Sequence, residues 1–534
     1  MKPIHLFIGL FFLANLQAQT AIEWQKTMGG NDHDWIYSSA VANDGYIMGG
    51  ITLSGASGDK TENSKGSTDF WIVKLGDGGR PQWQKTIGGS GEEKTGIVIT
   101  TSDGGFMLGG TSSSNISGDK TENSRGGADY WIIKLNSLGS IEWQRTIGGT
   151  QGDGLRSLVQ TSDGGYFLGG VSSSSISGEK TENCREISGF TSGDYWVLKL
   201  NSTGAIEWQK TIGGNDVDEL ISVKQALDGG YVIGGNSVSN ASFEKTENRR
   251  SVNRYSDYWI LKLSSVGAIE WQRTLGGHEV DMLEDLIACQ DGGVLVGGTS
   301  YSGISADKTE ALKGTGDYWV IKLNSAGVTE WQKSIGGNAS QSLYCLSQAP
   351  DGNYLLGGAS LSNISGDKTE NSRGEGDFWA VLLDSTGNII GQKTLGGSEN
   401  EGIEGIHPTP DGGYFLAGYS NSPISGEKNE SNRGGTDYWA VKLAPNSLSR
   451  EELVLSTVKI FPNPTAQYAT IAFASPFSGK ITQTDILGKT IQQFEIADQN
   501  KVVVDIKGND GAYFITVEVS KGAKKTFKIL KNNY

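Results

Sequence analysis

Short runs of alternating hydrophobic and polar residues follow one another along most of the chain, separated by Gly, Asn, Asp and Ser. In residues 129–149 the runs DYWIIKL and IEWQRTI predict two strands joined by the polar turn NSLGS. The Trp-Gln strand recurs in seven copies, the last without its Trp, at steps of 59, 60, 65, 63, 60 and 60 residues. A nearly constant period of this length is typical of a repeat architecture.

Each repeat contains four predicted strands. In the third copy they span residues 141–147, 155–161, 166–172 and 194–200. The second and third strands are joined by Asp163-Gly-Gly, a strong hairpin signal because glycine accepts the positive φ that such turns require. The Asp-Gly turn recurs in all seven copies, so all seven repeats are complete.

This pattern predicts an all-β fold, a seven-bladed β-propeller with four antiparallel strands per blade. A β-solenoid is the main alternative, but its coils are normally shorter, and a two-sheet sandwich does not accommodate about 28 strands. The array begins with a Trp-Gln strand at 22–28 and ends with an Asp-Tyr-Trp strand at 437–443. We therefore expect the N-terminal strand to close the last blade, which makes the second strand of each repeat the innermost.

Four segments differ in composition. Residues 1–18 read as a signal peptide, with Lys2 before an apolar core that is too short to span a bilayer, and no other stretch predicts a transmembrane segment. Residues 19–446 form the propeller, and 447–457 read as a linker. Residues 458–534 alternate without the repeat motifs and predict a small C-terminal β-sandwich.

Composition and charge exclude several functions. The chain carries a formal net charge of −15, with a net of +4 in residues 458–534 and therefore about −20 in the repeats, which disfavours nucleic acid as a partner. Its three cysteines share no repeat position, and its four histidines have no catalytic spacing. No motif of a hydrolase, zinc protease, phosphate loop or dinucleotide site is present. We predict no catalytic residue and no bound organic cofactor.

An acidic position recurs four residues after the second Gly of each Gly-Gly pair. The residues at this position are Asp34, Glu93, Asp153, Asp218, Asp281, Gln341 and Glu401. If they begin the innermost strands, their carboxylates would surround one mouth of the channel and favour a cation such as calcium. The favoured alternative is that each carboxylate accepts hydrogen bonds from its own loop.

The long loop between the third and fourth strands repeats a second polar motif, GDKTEN at 58–63 and 118–123. Its oxygen donors would suit calcium, but a Lys in every copy offsets their charge and the spacing matches no known calcium loop. The favoured interpretation is that these loops brace neighbouring blades through Lys–carboxylate pairs.

The third and fourth of these loops are longer than the others. The third adds residues 186–193, and the fourth carries the only basic cluster of the repeats, formed by Arg249, Arg250, Arg254 and Tyr255. Exposed loop residues that depart from a repeat are candidate partner contacts, although loop drift explains them equally well.

The C-terminal segment resembles a known family. VKIFPNP at 458–464, TDILGK at 484–489, GAYFI at 511–515 and KTFKILK at 525–531 are similar to the type A sorting domain of the type IX secretion system of Bacteroidetes-type bacteria. The residues that carry this resemblance are Pro462, Asn463, Pro464, Gly488, Gly511 and Lys528. It implies export by the type IX machinery, with the product released or held at the outer-membrane surface. The repeats also resemble uncharacterised propeller-like arrays found beside such domains.

Two functions remain. The first is a secreted or cell-surface, non-enzymatic scaffold that binds a glycan or a protein. The alternative is a secreted propeller enzyme that acts on polysaccharide, either a lyase or a glycoside hydrolase. A glycosidase needs one distinct pair of carboxylates, and near-identical blades predict none. The scaffold is therefore the favoured prediction.

Overall fold

The computed structural model describes residues 22–185, 193–445, 447–448, 458–519 and 524–532. The predicted signal peptide, most of the linker and most of the insertion at 186–193 lie outside the described residues. No helix in the described part of the chain has the length and hydrophobicity needed to cross a bilayer.

The repeats form seven four-stranded antiparallel sheets, which confirms the predicted propeller. The closing strand is β1 (Ile22–Met28). The first three blades contain β2 (Asp34–Ala42), β3 (Gly45–Thr52), β4 (Asp69–Leu75), β5 (Pro81–Ile87); β6 (Glu93–Thr100), β7 (Phe106–Ser112), β8 (Asp129–Leu135), β9 (Ile141–Ile147); and β10 (Asp153–Gln160), β11 (Tyr166–Ser172), β12 (Asp194–Leu200), β13 (Ile206–Ile212).

The remaining blades follow in the same order. They contain β14 (Asp218–Gln225), β15 (Tyr231–Ser237), β16 (Asp257–Leu263), β17 (Ile269–Leu275); β18 (Asp281–Ala288), β19 (Val294–Ser300), β20 (Asp317–Leu323), β21 (Thr329–Ile335); β22 (Gln341–Gln348), β23 (Tyr354–Ser360), β24 (Asp377–Leu383), β25 (Ile389–Leu395); and β26 (Glu401–Pro408), β27 (Tyr414–Ser420), β28 (Asp437–Leu443).

The N-terminal strand closes the ring as predicted. Strand β1 pairs antiparallel with β28 and completes the seventh sheet, β26-β27-β28-β1. Gln25 takes the place of the usual outer-strand glutamine, because its Oε1 accepts a hydrogen bond from Nε1 of Trp439 at 3.1 Å. The chain ends are therefore joined by the same contacts that hold every other blade together, and no sheet edge is left open there.

Packing between blades depends on the aromatic residues of the Asp-aromatic-Trp strand, the fourth strand of each sequence repeat, such as β12. The Trp of Asp-aromatic-Trp is fully buried in every blade. The hydroxyl of Tyr130 donates to the carbonyl of Trp196 in the next blade at 3.1 Å, and four other blade pairs repeat this contact. Both faces of each sheet are thus buried against a neighbour, which explains why these strands are apolar on both sides.

The long loops brace neighbouring blades, but not through the lysine that the sequence suggested. That lysine is buried: Lys120 lies with its Nζ 5.2 Å from the centre of the Trp131 ring, and four other blades repeat this cation–π contact. The bracing cation comes five residues later, where Nη2 of Arg125 lies 2.8 Å from a carboxylate oxygen of Glu179 in the next blade. The predicted Lys–carboxylate bracing is therefore confirmed in two blades, where Lys65 pairs with Asp119 and Lys313 with Asp367. It was wrong in the other five, where an Arg is the cation, and wrong for the lysine of the motif, whose stem fits the apolar face of the Trp.

The C-terminal domain is one strongly curled, nearly closed sheet. Its strands are β29 (Lys459–Phe461), β30 (Tyr468–Thr484), β31 (Thr490–Asp505), β32 (Gly511–Val519) and β33 (Lys524–Lys531). The order is β29-β30-β32-β33, with β31 also paired to β30. The predicted sandwich takes this form because the long central strand β30, with its register shifts, serves both sides of one core.

The residues that carry the family resemblance lie at the turns and edges of this sheet. Pro462, Asn463 and Pro464 follow β29, and the side chain of Asn463 joins them to β33 by donating to the carbonyl of Lys528 at 2.8 Å. Gly488 has a φ of 81° in the turn between β30 and β31, where a side chain would be strained. Gly511 is the first residue of β32.

Candidate functional site

The innermost strand of every blade borders the central channel. These strands are β2, β6, β10, β14, β18, β22 and β26, and each packs beside the innermost strands of its neighbours. In every blade the pairing of this strand shifts register near its third to fifth residue, for example between Leu155 and Ser157 in β10. A bulge of this kind leaves one residue unpaired and redirects its side chain.

The bulge residue differs from blade to blade, although the framework around it repeats. It is Tyr37, Gly96, Arg156, Ile221, Glu284, Tyr344 and Glu404 in blades one to seven. We call the five polar members, Tyr37, Arg156, Glu284, Tyr344 and Glu404, the channel cluster.

The members of the channel cluster occupy the same bulge position on the innermost strands of five blades. The electrostatic field of Arg156 in blade three acts on Glu284 in blade five and on Tyr37 in blade one. Glu284 in turn acts on Glu404 in blade seven. Blades three and five, five and seven, and one and three are not neighbours, so their inner strands face one another only across the channel. The cluster is therefore a set of polar side chains at equivalent positions on the channel wall of five blades.

Burial raises the pKa of both glutamates of the cluster. Burial raises the pKa of Glu284 to about 7, and the nearby Arg156 opposes part of that rise. Burial, reinforced by the charge of Glu284, raises the pKa of Glu404 to about 8.

The tyrosines form the aromatic part of the cluster. Tyr37 is 42% exposed, and Tyr344 is partly buried. The hydroxyl of Tyr344 is engaged by Ser342 and Tyr419, and burial with the charge of Glu404 raises its pKa. The cluster thus combines two carboxylates, one guanidinium and two phenol rings at an accessible surface.

A second polar network joins the inner strands beside the cluster. Asp285 accepts hydrogen bonds from the hydroxyl of Ser222 at 2.8 Å and from the backbone N–H of Leu346 at 3.0 Å, and so links three blades. Ser39 Oγ and His407 Nε2 lie 2.9 Å apart between blades one and seven. Burial lowers the pKa of His407 to about 4, so the imidazole is neutral near neutral pH. These contacts join adjacent blades.

The recurring acidic positions do not form the expected open ring. All seven side chains are buried between blades. Asp153 shows the arrangement: its Oδ2 accepts from the backbone N–H of Gly149 at 2.6 Å and from the hydroxyl of Ser174 at 3.0 Å. The less favoured interpretation, an open ring at the channel mouth, was therefore wrong, and the favoured one is confirmed: each of these side chains accepts a hydrogen bond from its own loop.

The residues at the equivalent position of the other six blades make the same hydrogen bond. Each accepts a hydrogen bond from the second Gly of its own loop, and this is true of Asp34, Glu93, Asp218, Asp281, Gln341 and Glu401. Within the described ranges, no three His, Cys, Asp or Glu side chains are grouped so that they could hold a metal ion. Calcium binding by these residues stays a prediction.

The basic cluster of the fourth loop is engaged within the protein. Arg250 occupies the same frame position as Arg125 and pairs with Asp307 of the next blade at 2.7 Å. Arg249 donates to the carbonyl of Val238 at 2.9 Å. Arg254 pairs with Asp216 at 2.6 Å and its side chain is 59% exposed, and Tyr255 is 37% exposed. Only Arg254 and Tyr255 of the four predicted contacts therefore present an accessible surface.

The channel cluster was missed in the sequence because the repeats were judged by what they share. Aligning the seven inner strands shows that the residue three positions after the recurring acid varies in chemistry, from Gly to Arg to Glu, as does the residue directly after the acid. The inner position of this strand was predicted, but the bulge that turns this residue toward the channel was not.

Comparison with known proteins identifies the C-terminal domain. Residues 459–532 match the family model of the secretion system C-terminal sorting domain, which confirms the sorting-domain prediction. The match supports handling by the type IX secretion machinery, and hence export to the cell surface or the medium. Comparison with curated protein sequences gives no match.

Several solved structures are similar to the chain at low identity. The WD40 domain of Pan2 from Neurospora crassa has 10% identity and a TM-score of 0.40, over 77% of this chain and 89% of that one. A mutant apocarotenoid oxygenase from Synechocystis has 9% identity and a TM-score of 0.39, over 90% and 96%. Puromycin hydrolase has 10% identity and a TM-score of 0.39, over 84% and 60%.

Proposed function

We propose that this protein is an exported, non-enzymatic binding scaffold whose ligand, a glycan or a protein, contacts the central channel. Export is supported by the sorting domain at 459–532. The binding role is supported by one observation, the difference in residue type at the bulge position of the inner strands within an otherwise repeated framework.

The bulge residues vary, whereas the residues that hold the blades together repeat, and this difference supports a ligand site for a physical reason. The residues that hold the blades together, such as the buried Trp and the bracing pair of an Arg or Lys with a carboxylate, need the same chemistry in each blade and repeat accordingly. A residue that only closed the channel would have the same requirement in each blade. An asymmetric set of charged and aromatic groups on a rigid, concave wall is instead what specific ligand recognition uses.

Binding to a glycan array and to extracellular proteins tests the proposal, with the mature full-length protein as probe. Arg156→Ala and Tyr37→Ala should each weaken binding at least tenfold, whereas Tyr255→Ala in the fourth loop should leave it unchanged. If loss of binding follows Tyr255 and Arg254 instead, the site lies on the loop and the channel proposal is wrong.

One observation favours the second candidate, an enzyme that cleaves polysaccharide. Glu284 and Glu404 form a distinct carboxylate pair, with pKa values raised to about 7 and about 8, and a protonated carboxyl near neutral pH is what a general acid requires. Release of reducing ends from polysaccharides, or of the unsaturated products of a lyase, measures this activity. Activity that is abolished in Glu404→Gln and kept in Glu399→Gln would replace the scaffold with an enzyme.

A further inference from the structure

We propose that two clefts at the rim of the propeller each bind one neutral sugar unit of a glycan. The first cleft lies between blades one and two and has a volume of about 610 Å³, and the second lies between blades five and six and has about 310 Å³. Both volumes fall in the range of small-ligand pockets, roughly 300–1,000 Å³. The clefts border the outermost strands β5 and β21, so they are separate from the central channel and add a second kind of site to the proposed function.

The two clefts are lined by equivalent ion pairs. In the first, Nζ of Lys65 lies 2.5 Å from a carboxylate oxygen of Asp119, and Nζ of Lys85 lies 3.4 Å from one of Glu62. These four side chains are 28–39% exposed, so their charged ends are accessible from the cleft. The matching distances in the second cleft are 2.6 and 3.5 Å, for the pairs Lys313–Asp367 and Lys333–Glu310.

Both clefts coincide with a pair of lysines at positions where other blades carry arginine. One position is the bracing cation of the long loop, and the other is the third residue from the end of the outermost strand. Both are Lys in blades one and five, both are Arg in blades two and four, and the remaining three blades have one of each. The lysines of blades one and five are Lys65, Lys85, Lys313 and Lys333.

Arginine at the strand position occupies the space that forms the clefts. In blade four, Nη1 of Arg273 donates to the carbonyl of Gly327 in the next blade at 2.8 Å, and the Arg of blade two makes the same contact at 3.2 Å. The equivalent glycines beside the two lysine pairs are Gly139 and Gly387, and both line the clefts. Lysine has a single ammonium group and no guanidinium fork, so it leaves this space open.

The chemistry of the clefts suits a neutral ligand with many hydroxyl groups. Each ammonium group has three donors and each carboxylate has about four acceptor sites, and an ion pair uses only part of them. Two ammonium groups and two carboxylates carry no net charge, so a charged ligand would face a like charge whatever its sign. Sugar hydroxyls both donate and accept, and Ile141, which is 37% exposed, offers an apolar surface to the C–H face of a sugar ring.

The walls of the first cleft are held in place by contacts within the protein. Oε2 of Glu62 accepts a hydrogen bond from the backbone N–H of Thr86 at 2.7 Å. On the opposite side, Nε1 of Trp83 donates to the carbonyl of Ser137 at 3.2 Å and so fixes the turn that carries Gly139. Polar groups that are fixed before binding lose little conformational entropy when a ligand arrives, which favours binding.

Saturation-transfer NMR at pH 6 tests the inference, with the full mature chain and with maltotriose, cellotriose and mannotriose as separate probes. Trigalacturonic acid is the anionic counterpart, and the deacetylated chitosan trimer is the cationic one. At least one neutral trisaccharide should bind at millimolar concentration and about tenfold more tightly than either charged trimer. A crystal soaked with that sugar should contain it in both clefts.

Variants that close the clefts use residues that the propeller already carries elsewhere. Lys65→Arg with Lys85→Arg reproduces the pair of blade two and should remove the sugar from the first cleft. Adding Lys313→Arg with Lys333→Arg closes the second cleft and should weaken overall binding at least about tenfold without changing the net charge. Thermal unfolding confirms that each variant is folded.

A matched control makes the same substitution in another blade. Lys210→Arg lies beside Arg185, which already fills the bracing position of blade three, and should leave binding unchanged. The converse change, Arg250→Lys with Arg273→Lys in blade four, reproduces the lysine pair and should give a third occupied cleft in the soaked crystal.

Three outcomes would overturn the inference. They are no binding of any neutral trisaccharide at millimolar concentration, equal or tighter binding of a charged trimer, and full binding by the variant with all four arginines. If sugar binding is lost in Arg156→Ala but kept in the four-arginine variant, the rim inference fails while the proposed channel site stands. If it is lost in the four-arginine variant and kept in Arg156→Ala, the rim clefts are the sugar sites.

Discussion

Replacing Glu401 by Gln should stabilise the propeller at neutral pH and have little effect at pH 4. Glu401 is 1% exposed and sits between blades six and seven, near the buried carboxyl of Asp377. Burial raises the pKa of Glu401 above its usual value despite three hydrogen bonds and the charge of Lys428. The site therefore disfavours the charged form, and a neutral side chain of the same shape removes that penalty.

The protein itself contains the control for this substitution. Gln341 holds the equivalent position one blade earlier, where its Oε1 accepts from the N–H of Gly337 at 3.0 Å and its Nε2 donates to Ser362 Oγ at 2.5 Å. Glu401 makes the matching contact with the N–H of Gly397 at 2.7 Å, and its Oε1 accepts from the hydroxyl of Ser420 at 2.7 Å, whereas Gln341 donates to the serine two positions later in its own blade. An amide consequently fits this pocket without leaving a buried group unsatisfied.

The size of the expected gain in unfolding free energy follows from the raised pKa of Asp377. Its pKa is raised from 3.8 to about 6, first by burial and then by the charge of Glu401, with the N–H of Arg373 acting in the opposite direction. Two pKa units correspond to about 3 kcal/mol. Because burial is the larger cause, relief of the repulsion accounts for about 1 kcal/mol of that total. This corresponds to a midpoint of thermal unfolding higher by about 1–2 °C in a domain of this size.

The raised pKa values predict how the stabilisation by Glu401→Gln depends on pH. A carboxyl whose pKa is raised in the folded state stabilises the fold while it is protonated. That stability is fully present when the pH is below the pKa of the unfolded chain, near 4, and it is lost as the pH rises through the pKa of the folded state. For Asp377 that folded value is about 6. Glu401→Gln should thus unfold at a higher denaturant concentration than the natural protein at pH 7.5, while the two should coincide at pH 4.

Urea unfolding at pH 4, 6 and 7.5, followed by tryptophan fluorescence, measures this difference. The reciprocal variant Gln341→Glu places a carboxylate beside Asp317 and should lose about the same free energy at pH 7.5. If Glu401→Gln is destabilised equally at pH 4 and pH 7.5, the carboxylate acts through its hydrogen bonds and the argument from buried repulsion is wrong.

Other parts of the structure lead to three further predictions. Lys65→Arg should raise the unfolding midpoint by about 1 °C, since a guanidinium forms two parallel bonds to Asp119; calorimetry showing no rise would contradict this. Gln25→Ala removes the acceptor of Trp439 and should cost about 1 kcal/mol in urea unfolding; no loss would mean that ring closure does not depend on this contact. Deleting residues 459–532 should retain the protein inside the cell, which fractionation and immunoblotting would detect; continued export would refute the sorting role.

The sequence was sufficient for the architecture of this protein. Strand bounds such as Ile141–Ile147 and Asp194–Leu200 agree with the structure because they are set by local alternation and by turns that need glycine. The array begins with one strand type and ends with its usual hairpin partner, and this was enough to predict that Ile22–Met28 closes the ring. These features depend on residues close in the chain or on a repeat that occurs seven times, and both can be recognised from the sequence alone.

Only the tertiary structure decided which side chains meet. The burial of Asp153 and the placement of Lys120 on Trp131 depend on how loops fold over neighbouring blades. Glu284 and Glu404 are 120 residues apart in the sequence, and the register shifts of β18 and β26 place both at the same bulge position of an innermost strand. A repeat pattern shows which positions are equivalent, but the curvature that closes seven blades into a ring determines which of them face one another.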